Sequence, residues 1–332
     1  MILTETKSTV TRFTKPISAI ELTSQCKCEH ECESEYCGVE FMVVGNADTA
    51  NATTSTTAET ATAAEAFVDC HLAESATCDF VHRRDGTLQI QINSHQNLSK
   101  YPITSNLHQY IRIFLPFALV TFAAKISAGN IVWAADAPNV SLLLAIDINK
   151  GSAAIHAPIT TDTISINTNN GHIGLATVTA AVTVTLGTKS GSISGTIYQY
   201  HSLNAASSTD GSIFLFLQPA SNLSVSRVVV NTGSISLKIV DFNGFFSATC
   251  EPQNLDSISN NCVTILAPGG IEKRDANQCS GVVGYSDSDD YDDGYGSINS
   301  NNSNKNRVHN SRGSLLAVSK NGNITIGFMQ AE

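Results

Sequence analysis

The sequence predicts an all-β chain, a β-solenoid stacked from coils of about 20 residues behind a disordered N-terminal arm. Three observations carry that expectation. Glycines followed two residues later by an aliphatic or small residue fall at Gly129, Gly151, Gly171, Gly191, Gly211 and Gly233, spaced by 22, 20, 20, 20 and 22. From about residue 67 to residue 271 apolar and polar residues alternate, the period-2 pattern of strands. Charged residues are 14% of the 332, against roughly 25% in an ordinary soluble domain, and Ser, Thr, Asn and Gly replace them. A helical bundle needs more charge than this to solvate its outer faces.

The repeat has a local cause. Asn170-Gly171, Asp210-Gly211 and Asn321-Gly322 are dipeptides that tolerate positive φ, so each closes a tight turn. Aliphatics alternate on either side: Ile164 and Ile166 before Gly171, Ile173 and Leu175 after it. The same holds for Val228 and Val230 before Gly233, with Ile235, Leu237 and Ile239 after it. One face of each strand is therefore apolar, and stacked copies would share a core. An antiparallel meander, with each Asn-Gly as a hairpin turn, satisfies the same local signals. The near-constant period favours the solenoid, because hairpins vary in length. Twenty residues are too few for a propeller blade, which takes about 40–45.

Along the chain, residues 1–66 read as a flexible arm: a Thr-rich start, a cysteine cluster, and the low-complexity linker NADTANATTSTTAETATAAEA at 46–66. Residues 67–332 read as the repeat domain, interrupted by a polar, disordered insertion at about 285–310. The longest apolar stretch, IFLPFALVTFAA at 113–124, is shorter than the ~20 residues of a membrane span. It reads as two buried strands hinged at Pro116. The N-terminus lacks the basic start and apolar run of a secretory signal, which favours an intracellular protein, with the cell surface as the alternative. Sequons at Asn51, Asn97, Asn139, Asn222, Asn301 and Asn323 are expected by chance in so Asn- and Ser-rich a chain.

TDGSIFLFL, NTGSISLKIVDFNGFF and VSKNGNITIGF resemble the putative adhesin domain, a bacterial and fungal family of β-solenoids. The order is also similar: Gly-Ser-Ile coils, the element Phe242-Asn243-Gly244-Phe245-Phe246, a polar insertion, and a final Asn-Gly-Asn-Ile strand. FLPFALVTF and AGNIVW fit the family's early coils. The resemblance covers about residues 80–330 and implies a non-enzymatic binding role, with no catalytic residues to carry over.

Chemical motifs are sparse. A polysaccharide-cleaving β-helix needs converging carboxylates. No two of Asp136, Asp147, Asp162, Asp210 and Asp241 are one period apart. His156, His172 and His201 do not recur at the repeat, and neither a nucleophile elbow nor a phosphate loop is present. The Asp-rich run at 287–293 lacks the twelfth-position Glu of an EF-hand when aligned on Gly294. The densest cluster is Cys26, Cys28, His30, Cys32 and Cys37, soft ligands suited to zinc although the spacing is not a standard one. Among the other cysteines, 70, 78, 250, 262 and 279, the pair Cys250–Cys262 is the first choice for a disulfide in an oxidising compartment. A net charge of −10 speaks against nucleic acid. The reading is a binding or scaffold protein whose flat Ser/Thr/Asn-lined faces meet a glycan or protein surface. A carbohydrate-active enzyme, or a metal-binding arm on an inert stack, is the alternative.

Overall fold

The computed structural model describes residues 6–28, 39–45, 65–73, 76–96, 109–251, 262–267, 270–272, 278–283 and 313–330. They form strands and, among the described residues, no helix. The chain divides into two compact units, Met1–Thr161 with Ser165–Ala176, and Asp162–Ile164 with Thr177–Glu332.

The first unit holds β1 (Thr6–Phe13), β2 (Ala19–Cys28), β3 (Val39–Val44), β4 (Ala66–Ala73), β5 (Ala76–His82), β6 (Thr87–Gln96), β7 (Gln109–Phe114), β8 (Leu119–Trp133) and β9 (Val140–Lys150). Strands β10 (Ala153–Asn170) and β11 (Ile173–Ser190) carry residues of both units. The second unit continues with β12 (Ile193–Tyr200), β13 (Ser202–Asp210), β14 (Ile213–Pro219), β15 (Val225–Thr232), β16 (Ile235–Val240), β17 (Gly244–Cys250) and β18 (Val263–Ala267). It ends with β19 (Gly270–Glu272), β20 (Gln278–Val283), β21 (Gly313–Asn321) and β22 (Ile324–Met329).

Strands one repeat apart pair in parallel, not as hairpins. In the second unit β12 pairs with β14, β14 with β16 and β16 with β22. The register sets Ile193, Ile213, Ile235 and Ile324 side by side, each at most 1% exposed. Paired positions of these strands thus form one apolar row, and fully burying each Ile contributes about 1.5–3 kcal/mol. In the first unit Ile20, Phe122 and Leu144 form an equivalent row across β2, β8 and β9. Trp133 is fully buried there, edge-on to Phe122 at 4.9 Å, and its indole N–H donates to the Pro138 carbonyl at 3.2 Å. The apolar run of residues 113–124 is split between β7 and β8, with Pro116 in the bend between them.

Gly129, Gly151, Gly171, Gly211, Gly233 and Gly322 are corners where backbone lies directly on backbone. At Gly151 φ is 134°, and a Cβ would overlap the Gly129 carbonyl oxygen; at Gly211 φ is 147°, against the Gly191 carbonyl. The residue after the glycine caps the next corner. Asn130 Oδ1 accepts the Ser152 N–H at 2.8 Å, and Ser152 Oγ accepts the His172 N–H at 3.0 Å. In the second unit Ser212 Oγ accepts the Ser234 N–H at 3.1 Å.

Chain order and stacking order differ at one end of each unit. In the first, β2 lies between β6 and β8, and β3 between β7 and β8, all parallel. The coil beyond them is closed by antiparallel strands: β5 on β6, β4 on β7, and β1 on β4. In the second, β21 lies between β15 and β17, and β22 between β16 and β18. Antiparallel β20 and β19 close β17 and β18.

The expectation of a disordered arm over residues 1–66 is corrected for its described residues, 6–28, 39–45 and 65–66. Ile17, Ile20, Leu22, Val39, Phe41 and Val43 are at most 3% exposed. The segment is polar on average, but two short alternating stretches within it find partner strands far along the chain. The linker at 46–64 and the insertion at 285–310 lie outside the described residues.

Replacing Gly151 by Ala is expected to destabilise the protein by at least about 2 kcal/mol, through positive φ and the carbonyl overlap. Gly174→Ala, where a Cβ would meet nothing within 4 Å, is expected to stay within about 0.5 kcal/mol of the parent. Urea unfolding followed by circular dichroism measures both. Equal effects would remove the corner contact as the cause.

Candidate functional site

The sequence candidates for chemistry do not converge among the described residues. Cys26 and Cys28 belong to β2, opposite Ser94 and Gln96 of β6; His30, Cys32 and Cys37 lie outside the described residues. No group of three or more His, Cys, Asp or Glu that could hold a metal forms among the described residues. Cys250 and Cys262 are joined by a disulfide, with Cα atoms 6.2 Å apart, from the last residue of β17 to the residue before β18. Asp210 ends β13, and its carbonyl accepts the Gly191 N–H at 2.7 Å. Asp241 turns a corner at φ 54°.

Asp147 lines a shallow groove of about 570 Å³ in the first unit, with Glu21, Thr23, Lys125, Ser165 and Asn167. Register sets Lys125 beside both Thr23 and Asp147, and places Glu21 and Asp147 two strands and two residues apart. Their Cα atoms are thus separated by roughly 12 Å. Glu21 accepts a 2.6 Å hydrogen bond from Gln89 Nε2 and lies 3.8 Å from Arg83. A carboxylate held in this way serves as a strut between β2 and β6. Glu21 reaches this groove because β2 pairs with β8 from about 100 residues upstream, outside the 20-residue period.

The outward face of β12, β14, β16 and β22 in the second unit has a different character. Two rows cross it: Ser194, Phe214, Ser236 and Thr325, and then Thr196, Phe216, Lys238 and Gly327. Inward neighbours Ile213, Leu215 and Leu217 fill the core, so alternation forces Phe214 and Phe216 outward. Phe214 is 48% exposed. Tyr198 meets Phe216 edge to face, with ring centroids 6.0 Å apart. Three aromatic rings on two adjacent strands, bordered by three hydroxyls and one ammonium, make a flat amphipathic platform.

The platform depends on a bulge. Strict alternation would put Tyr198 and Tyr200 on one face. The register shifts between them, Gln199 takes φ 53°, and Tyr200 turns fully inward. Its hydroxyl and that of Ser226 are 2.7 Å apart and share a hydrogen bond, and Ser224 Oγ donates to the Tyr200 carbonyl at 2.8 Å. These contacts anchor the end of β12 that carries Tyr198. Burial pushes the Tyr200 phenol from its ordinary value of 10 to about 12, against the opposing effect of the Ser226 bond.

No family model matches the chain, and no curated protein matches it. Two solved structures align along most of it. One is a putative cell adhesion protein from Clostridium sporogenes ATCC 15579, at 10% identity and TM-score 0.22, covering 98% of this chain and 100% of that one. The other is a putative adhesin from Bacteroides fragilis NCTC 9343, at 10% identity and TM-score 0.38, covering 98% of each chain. At these TM-scores neither likeness bears on function.

Because folding favours the neutral phenol of Tyr200, its contribution to stability is intact below pH 10 and falls as pH rises towards 12. Absorbance titration is expected to show one of the eight tyrosines ionising only near pH 12. Tyr200→Phe should abolish that late step. Retention of the step in this variant would assign it to another tyrosine.

Proposed function

We propose that the chain is a non-enzymatic, adhesin-like binding protein of β-solenoid architecture, and that the platform of Tyr198, Phe214 and Phe216 receives a neutral glycan. The parallel ladders at repeat offsets and the sequence resemblance to the adhesin family support the architecture. The single observation that carries the function is the aromatic cluster on the outward face, exposed Phe214 beside half-buried Phe216 and Tyr198. Apolar ring faces match the C–H faces of a sugar, and Ser194, Thr196 and Ser236 supply hydroxyl partners for its own hydroxyls. The chain's net charge of −10 and the lone Lys238 in these rows disfavour polyanions.

An enzyme would use the first unit's groove. The tethering of Glu21 by Gln89 and Arg83 weighs against it, since a catalytic carboxylate must exchange protons with substrate.

Binding to an array of immobilised neutral oligosaccharides tests the reading. At least one glycan is expected to bind, and Phe214→Ala and Tyr198→Ala are each expected to weaken it about tenfold, as loss of an aromatic anchor does. Circular dichroism should remain unchanged. Folded variants that bind like the parent, or a parent that binds no neutral glycan, would overturn it.

A further inference from the structure

We propose that Cys70 and Cys78 form a second disulfide, which locks the antiparallel cap of the first unit. Cys70 lies on β4, opposite Thr9 of β1 and Ile111 of β7; Cys78 lies on β5, opposite Ile92 of β6. The two strands close different ladders of the outermost coil, one capping β7 and the other capping β6. Their Sγ atoms are 3.0 Å apart and share a hydrogen bond. A disulfide needs about 2.05 Å, so an approach of about 1 Å closes the bond.

The second unit supplies an independent parallel. Its outermost coil is closed by antiparallel β19 and β20, and the Cys250–Cys262 disulfide ties the end of β17 to the start of β18. In both units, therefore, a pair of sulfurs sits where the last coil's two ladders meet. An environment that maintains the first bond supplies the oxidant for the second.

The oxidant is a small-molecule disulfide such as glutathione disulfide. Cys78 is partly exposed and Cys70 is buried. The Cys78 thiolate attacks one sulfur of the oxidant, breaking its S–S bond and releasing one thiolate. The Cys70 thiolate then attacks the Cys78 sulfur of the mixed disulfide and releases the second. Two cysteine thiols lose two electrons, the oxidant gains them, and the two cysteine protons end on the two released thiols. The hydrogen bond shared with Cys70, and then burial, hold the Cys78 thiol well above its ordinary value. Exchange is accordingly slow at neutral pH.

The full chain is incubated with glutathione disulfide at about pH 9, where more of a thiol is ionised. It is then alkylated under denaturing conditions, cut after Glu, Lys and Arg without reduction, and read by mass spectrometry. Cleavage at Glu65, Glu74 and Arg83 separates the two cysteines into residues 66–74 and 75–83. The expected product is these two peptides joined, absent from the Cys78→Ser variant, with circular dichroism showing that variant folded. Both peptides recovered alkylated and separate would overturn the proposal. So would either cysteine joined to a different partner. Should Cys78→Ser fail to fold, reduction of the parent decides: the joined peptides must disappear and the separate alkylated ones appear.

Discussion

The whole arrangement rests on how closely one corner lies on the next. Parallel strands run about 4.8 Å apart, and at the corners no side chain separates the backbones. A glycine there abuts the carbonyl of the preceding glycine, as Gly151 does against Gly129 and Gly211 against Gly191. Any Cβ would force the coils apart locally and tilt the strands on both sides. The isoleucine row at 193, 213, 235 and 324 would then lose its register. Hydrophobic burial supplies most of the stability, but the corner decides which residues are buried together.

A stack of parallel coils leaves an end with unpaired N–H and C=O groups, which invite another chain to pair. Each unit handles its end alike. The coil nearest the chain terminus is slipped one place inward, β2–β3 in the first unit and β21–β22 in the second. The coil left outermost carries short antiparallel strands. Antiparallel strands do not present the face on which another parallel coil would stack, so growth of the stack stops. The cost is kinetic: β2 finds β8 across about 100 residues and β15 finds β21 across about 90. Non-local pairing of this kind slows folding.

The all-β class was legible because a strand's signals are local. The 20-residue glycine spacing, the alternation around Ile235 and Ile173, and the all-β class needed only neighbouring residues. Stacking order was not legible. A coil of this kind looks the same wherever it docks, so nothing in AIELTSQC or VEFMVV says that they insert before β8. The Thr-rich start, the cysteine cluster and the low-complexity linker around them suggested an arm instead. The platform was half legible. IFLFLQP on β14 shows alternation with aromatics at the outward positions, but the bulge at Gln199 breaks the alternation that would locate Tyr198. Glu21 was invisible to a search by period, since its neighbours come from β6 and β8.

In-register pairing of strands also bears on the proposed binding role. It sets like positions side by side, so its faces are rows: isoleucines inward, and hydroxyls and aromatics outward. A catalytic site needs unlike groups converging on one atom, which parallel rows do not readily provide. Acids enter these rows singly, Asp147 beside Lys125 and Glu40 beside Tyr110 and Asn130. The corners are closed to ligands too, because Asn130, Ser152 and Ser212 already accept the exposed N–H groups of the next coil. On the proposed reading a flat outward face carries the function, and the aromatic rings of Tyr198, Phe214 and Phe216 are where a ligand would gain contact.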